Sequence, residues 1–443
     1  MPRSGTRHRL VEALAARLPF YYGWVILACV CAAGFSRQGA AVATLSIFVD
    51  PMTGEFGWSR TAVSAAVSVG GVLGALVAPA LGPFLDRNGA RAVLGAAVLV
   101  TGFSVLMLSF TRSLAHFFFF YCLARMSFTG PYDLGIYGSV VNWFYRRRAF
   151  ATSIVTLVHM VGLMAMPLIA HFVMQASDWR AAWVAIGATV LLIGFVPTWL
   201  LHVRRPEDLG LRPDGEPVAP ASGTSFADEP AYSRSEALAT PAFWLLSLFT
   251  LLAFPVQAGI SLHQAPFLIE RGLDPTVAAA AVSTFALLSA VAGFAYGFWP
   301  RRVPLRFALA LVGLTLAVSC VLMRSVEAAP LAFGAAALFG LGIGGLLTML
   351  PIAWADYFGR TSYGAIRGVA LTVQVVGQAL GPVLSGALRD WTGSYSASLV
   401  TFAVLALLGG VVALLAGPPG RKAGAFGVTG VSARPRRASG GRT

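Results

Sequence analysis

Apolar runs long enough to cross a bilayer recur along almost the whole chain, and this decides what it can fold into. Phe20 to Val49, Ala62 to Leu85 and Ala92 to Phe110 each reach the roughly 20 residues that a spanning helix needs. Short polar segments with Gly, Pro and Arg separate them. Of 443 residues, 57% are hydrophobic and 11% charged, against about 25% charged in a soluble chain. Too few polar groups remain to cover a water-facing surface.

Reading runs and breakers predicts spans near 22–48, 62–82, 92–110, 114–141, 150–173 and 180–202. A second set follows near 243–268, 276–297, 304–323, 329–355, 366–388 and 396–416. The expected organisation is a tail over 1–21, a six-helix bundle over 22–202, a solvated polar loop over 203–240, a second bundle over 241–416 and a basic tail over 417–443. The first apolar stretch is too long for a signal-peptide core and shows no obvious small-residue cleavage site, so it reads as an uncleaved helix.

Basic residues set the orientation. With the N-terminus inside, 24 of the 32 Lys and Arg fall in inner segments and six in outer loops, leaving Arg37 and Arg125 within the membrane. Both termini are expected in the cytoplasm. The net charge of +14 does not indicate nucleic-acid binding, because the cations punctuate apolar spans and form no stripe. Cys29, Cys31, Cys122 and Cys320 all fall inside spans and read as buried free thiols, with no metal-ligand or disulfide framework.

The two halves echo each other. Gly82-Pro-Phe-Leu-Asp86-Arg87-Asn-Gly89-Ala-Arg91 between spans 2 and 3 corresponds to Gly297-Phe-Trp-Pro-Arg301-Arg302-Val-Pro304-Leu-Arg306 between spans 8 and 9, 215 residues on. Trp143-Phe144-Tyr145-Arg146 recurs as Tyr357-Phe358-Gly359-Arg360 at an offset of 214, and Asp178-Trp179 as Asp390-Trp391 at 212. Equivalent loops in one order point to duplication. Two similar six-helix halves suit alternating access about a central site.

These residues resemble the major facilitator superfamily along nearly the whole chain. Gly82, Asp86, Arg87, Gly89 and Arg91 are similar to its signature between helices 2 and 3. Tyr22-Gly23-Trp24-Val25, Trp143-Phe144 with Arg146 to Arg148, and Tyr357-Phe358-Gly359-Arg360 with Gly364 to Gly368 resemble its bacterial monocarboxylate and oxalate-formate branch. The resemblance implies an all-α membrane protein of twelve transmembrane helices in two pseudo-symmetric six-helix bundles, the major facilitator fold. It also implies a conformational latch at Gly82, Asp86, Arg87, Gly89 and Arg91. A carboxylate at Asp86 would face the N-terminus of span 11, which carries partial positive charge. The oxalate transporters of that branch use an Arg in helix 8 and a Lys in helix 11. Here span 8 has no charge and span 11 no Lys, so that arrangement is not expected.

Ionisable groups at membrane depth are costly and therefore functional candidates. Arg37 lies about 22 Å along span 1 from Tyr22, beyond the midplane. Its planar fork suits a carboxylate, the alternatives being a structural pair or snorkelling. Arg125 and Asp133 share span 4 with Pro131 between them. Asp133 is a candidate proton carrier, or else a static bridge to Arg125 or Arg37. Span 7 carries Pro255, Gln257, Gly259, His263, Gln264 and Pro266, and its two prolines predict a broken helix. His263 and Gln264, with Tyr296, Gln374 and Gln378, are candidate cavity-lining residues. His159 and Asn142 are weaker ones.

The expected function is secondary active transport of a small, monocarboxylate-like organic anion across a bacterial inner membrane, by alternating access and coupled to protons, as a monomer. Multidrug or other efflux by proton antiport is the alternative. No repeated pore-lining ring points to a channel. No catalytic constellation, metal cluster or P-loop points to an enzyme, and no cofactor is expected.

Overall fold

The computed structural model describes residues 6–215, 230–300 and 302–420. The tail beyond 420, Arg301 and the middle of the expected central loop lie outside the described residues. Among those described, the chain is built of helices without a strand. Eleven helices among the described residues are long and apolar enough to cross a membrane. They run Gly23–Phe56 (span 1), Arg60–Asn88 (span 2), Ala90–Leu108 (span 3), Arg148–Ala176 (span 5), Trp179–Leu201 (span 6) and Pro241–Glu270 (span 7). Pro275–Tyr296 (span 8), Leu305–Arg324 (span 9), Ala329–Phe358 (span 10), Tyr363–Thr392 (span 11) and Ser396–Leu415 (span 12) complete them. Span 4 is made of two pieces, Leu114–Thr129 and Pro131–Trp143. Pro131 has no N–H to continue the ladder, and Gly130 bends there with φ −99° and ψ −72°.

Several expectations need correction. Span 1 does not end near residue 48. It stops as an α-helix at Arg37, makes a 3-10 turn over Gln38–Ala40, and resumes over Val42–Phe56 after an extended Ala41. The carbonyls freed by this break need partners where no water competes. Thr44 Oγ1 donates to the Gln38 carbonyl at 2.7 Å and the Tyr121 hydroxyl to that of Ala40 at 3.4 Å. Span 7 was expected to break and is one continuous helix with Pro255 and Pro266 inside it. A Cβ at Gly381 of span 11 would come within 2.2 Å of the Pro255 carbonyl oxygen, so span 11 is pressed closely against this stretch. Gly82, Asp86 and Arg87 are not in a loop, because span 2 stays helical to Asn88. The chain turns only at Gly89, whose φ of +84° favours a residue without Cβ.

The expected tail and loop also carry structure. Thr6–Arg17 is a helix with Val11 buried. Residues 203–215 are not simply solvated but lie across the connection between spans 4 and 5. Asp214, at φ 59°, accepts from the backbone N–H groups of Tyr145, Arg146 and Arg147 at 2.9, 2.5 and 3.1 Å. Asp tolerates that left-handed conformation better than most residues. Beside it, burial and then the carboxylates of Asp214 and Glu207 push the Tyr21 phenol well up from its usual range.

Span 1 starts, and span 12 finishes, at the same end of the bundle, here termed the terminal end. The principal contacts between spans 1–6 and spans 7–12 lie in the terminal half. Spans 2 and 11 pack backbone to backbone. A Cβ at Gly82 would sit 2.1 Å from the Gly364 carbonyl oxygen, and one at Gly368 2.6 Å from that of Ala78. Small residues permit such approach where lipid offers no hydrophobic drive. Thr372 Oγ1 donates to the Ala75 carbonyl at 3.0 Å. Span 5 meets span 8 through Phe150, whose ring lies 5.5 Å from that of Phe298, and meets span 10 where Thr348 donates to Thr156 at 3.3 Å.

Gly82→Val should therefore force spans 2 and 11 apart at a cost of about 1–3 kcal/mol. Disulfide cross-linking of an Ala75→Cys, Thr372→Cys pair should fall well below that seen with Gly82 retained, with helicity by circular dichroism unchanged. Equal cross-linking in both backgrounds would show that the contact is not needed for closure.

Candidate functional site

The break in span 1 places Arg37 at the end of a helical segment, with its side chain toward span 4. There its guanidinium carbon stands 4.1 Å from the centroid of the Phe128 ring, and that of Arg125 stands 4.2 Å from the same centroid. Arg125 reaches this position because Gly70 of span 2 leaves room for its stem; a Cβ there would lie 2.6 Å from the Arg125 Cβ. Arg37, Arg125 and Phe128 are all half-buried. Arg37 Nε and Arg125 Nε and Nη1 are buried atoms without a hydrogen-bond partner. Both cations are thus held by a π face, a weak partner next to a carboxylate.

Asp133 pairs with neither of them. It lies 3.3 Å from Arg367 Nη2 of span 11, so the expected static bridge to Arg125 or Arg37 is corrected to one with the opposite half. Both partners are buried. Arg367 Nη2 also donates to Gln374 Oε1 at 2.8 Å, while its Nε and Nη1 find no partner. Arg367, Gln374 and Gln378 recur at spacings of seven and four and share one face of span 11. Gln378 donates to Gln257 of span 7 at 3.5 Å. His159 of span 5 lies against Gly34 in the same region as Arg37.

The remaining candidates are not gathered there. His263 packs at a tilt against Tyr395, ring centroids 5.2 Å apart, and lines a small pocket with Gln264 between spans 7, 11 and 12. By helix rise His263 stands about 33 Å from the start of span 7, near the opposite end. Tyr296 packs on Trp299 and against Gly345 of span 10. Asn142 contributes its backbone carbonyl, which accepts from Arg360 at 3.3 Å.

At the terminal end the Asp86 carboxylate accepts from the Gly364 and Ala365 N–H groups of span 11, both at 2.8 Å. These are the orphan donors of a helix N-terminus, whose dipole favours an anion. Gly82 supplies the close approach. Gly89 supplies the turn and packs on Arg204, which donates to the Asp86 carbonyl at 2.7 Å. Arg91 lies over Trp199 at 5.1 Å, and Arg87 is exposed at the span end. A second tie joins Arg148 of span 5 to Asp356 of span 10 at 2.5 Å, and a third joins Arg360 to Glu207 at 2.8 Å.

Reading the sequence missed Arg148, Asp356, Arg367 and Phe128 as site residues. Arg148 is the third member of an arginine triplet and counted as a loop charge, yet its side chain is only 2% exposed. Arg367 was placed at the rim of span 11, which begins earlier, at Tyr363. The Gly364-x-x-x-Gly368 spacing around it marks a packed helix face and was the available signal.

Comparison with known proteins agrees with this architecture. The family model described as Major Facilitator Superfamily matches residues 26–373 and 259–429. The chain is 28% identical to the "Membrane sensor protein UhpC" of Salmonella typhimurium over 352 residues, covering 74% of this chain and 76% of that protein. It is 25% identical to mouse "Monocarboxylate transporter 11" over 410 residues, 88% of this chain and 86% of the relative. Among solved structures it is similar to the human organic anion transporter MFSD10, with TM-score 0.67, 17% identity and 90% and 100% of the two chains covered. It is also similar to the transporter FucP in the outward conformation, with TM-score 0.70, 12% identity and 89% and 99% covered. By fold and by sequence, this multi-pass membrane protein belongs to the Major Facilitator Superfamily.

Proposed function

We propose that the protein is a proton-coupled secondary transporter of a small organic anion, working by alternating access as a monomer in a bacterial inner membrane with both termini in the cytoplasm. The observation that carries the anion is the pair Arg37 and Arg125. Two always-charged forks stand half-buried at the middle of the bundle against the Phe128 ring, and among the described residues neither is in an ion pair. Such cations at membrane depth call for an anionic ligand. The names of the monocarboxylate transporters and of the organic anion transporter favour a carboxylate as its anchoring group.

The gathering of the principal contacts in the terminal half supports a state closed on that side, with the central arginines approached from the other. On this reading the Asp86 latch and the Arg148–Asp356 pair hold the cytoplasmic side shut. Asp133–Arg367 joins the halves beside the site, so opening that side must part it. A proton on Asp133 would release Arg367 and add positive charge beside the anion. Proton and anion would then favour each other's binding, and such coupling is reciprocal.

A second reading, a membrane sensor of the same anion, is favoured by the name of the Salmonella relative. Counterflow of a labelled carboxylate in proteoliposomes supports a transporter. Binding without counterflow points to the sensor.

Arg37→Lys keeps the charge and loses the fork, so carboxylate binding should weaken, and Arg37→Ala should lower affinity by about tenfold or more. Wild-type binding in both folded variants, measured by calorimetry, would make Arg37 structural. Asp133→Asn should retain substrate-for-substrate exchange and lose accumulation driven by a pH gradient. Should it still concentrate substrate on pH alone, the proton travels elsewhere. Asp86→Asn should raise the labelling of single cysteines placed on the terminal side of the cavity. Unchanged labelling together with normal transport would exclude the latch.

A further inference from the structure

Arginines outnumber acids where the two halves meet. Arg37, Arg125 and Arg367 gather there, and Asp133 is the carboxylate that faces Arg367 and Arg37. The other acids among the described residues lie in the last two turns of spans, in helix caps, in the two short helices outside the spans or in connections. Arg148 comes close from span 5 but is matched by Asp356. The remaining titratable neighbours are His159 and the phenols of Tyr121, Tyr132, Tyr137 and Tyr363, none of which brings negative charge at neutral pH. The cluster therefore holds two more positive charges than negative ones. A guanidinium cannot discharge by losing its proton, and uncompensated charge at this depth is costly.

We propose that the bound anion carries two negative charges and is held between Arg37 and Arg125. The inference rests on the anion-transport reading and narrows its substrate class to anions of two charges. Both guanidinium carbons stand near the same phenyl centroid, so they lie within about 8 Å of each other. Each fork takes an oxyanion at about 2.8 Å. Forks this close are within reach of both ends of a short dicarboxylate, or of one phosphomonoester head. The two cations stand on spans 1 and 4, both in the N-terminal half, so the charge would be held by one half while the other moves. The Phe128 ring, which faces both cations, would be displaced as the dianion enters.

The test is calorimetry on the purified full-length protein with two matched pairs of probes, at a pH where each acid is fully ionised. The pairs are succinate with butyrate, and methyl phosphate with dimethyl phosphate. At least one dianion should bind about tenfold or more tightly than its singly charged partner, the worth of one added charge-assisted contact. Preference for succinate identifies a dicarboxylate, and preference for methyl phosphate a phosphomonoester. Arg125→Gln should erase the preference and leave the weaker, monoanion-like binding. Equal binding within both pairs by the wild-type protein overturns the second charge and leaves the anion reading intact. Failure of all four probes to bind a protein folded by circular dichroism overturns both.

Discussion

Everything at the terminal end depends on how closely spans 2 and 11 approach. With Gly82 against Gly364 and Ala78 against Gly368, the two backbones touch without intervening side chains. Only at that separation can the Asp86 carboxylate reach two N–H groups at the head of span 11. Packing and electrostatics are therefore one device. The glycines provide the distance, and the carboxylate turns the distance into a directional bond worth more than van der Waals contact alone. Remove either and the other loses its purpose. The Arg148–Asp356 pair, across the neighbouring contact of spans 5 and 10, gains its geometry from the same closure.

The middle of the bundle follows a different rule. There the charges are not fully matched, which a merely structural core would avoid. Asp133 forms its ion pair with Arg367, in the other half, rather than with the two arginines of its own half. That choice ties the state of the site to the relative position of the halves. The break in span 1 contributes as well, because it lets Arg37 leave the helix end toward Phe128 while Thr44 and Tyr121 satisfy the interrupted backbone.

Much of the fold was legible because hydrocarbon imposes long apolar helices, and these are the easiest signal a sequence carries. Spans 3, 5, 6 and 8–12 needed only shifts of a few residues at their ends, while span 2 runs on to Asn88. The break at Gln38–Ala40 was not legible, since Gly39 alone does not distinguish a turn from close packing against span 6. Span 7 misled in the other direction. Its prolines read as a break, but the stretch is helical, and Gly381 of span 11 packs on it. At the site, residue identities could be read and partners could not. Arg37, Arg125 and Asp133 stand out as charges in apolar runs. That Asp133 meets Arg367, 234 positions away, depends on how spans 4 and 11 cross, which no local pattern encodes.

Asp214 gives the chain between the halves a definite allegiance. Its carboxylate caps three successive N–H groups ahead of span 5, as an N-cap residue would, although it is contributed from beyond span 6. Asp214 therefore anchors residues 203–215 on the first half, even though they follow its last helix and Glu207 among them also reaches Arg360 of the second half. If the protein were divided into separately expressed halves, the natural cut would fall after Gly215 and not at the end of span 6. A fragment ending at Leu201 would leave the turn into span 5 with unmet donors, and would be the less stable piece despite holding every one of its membrane helices.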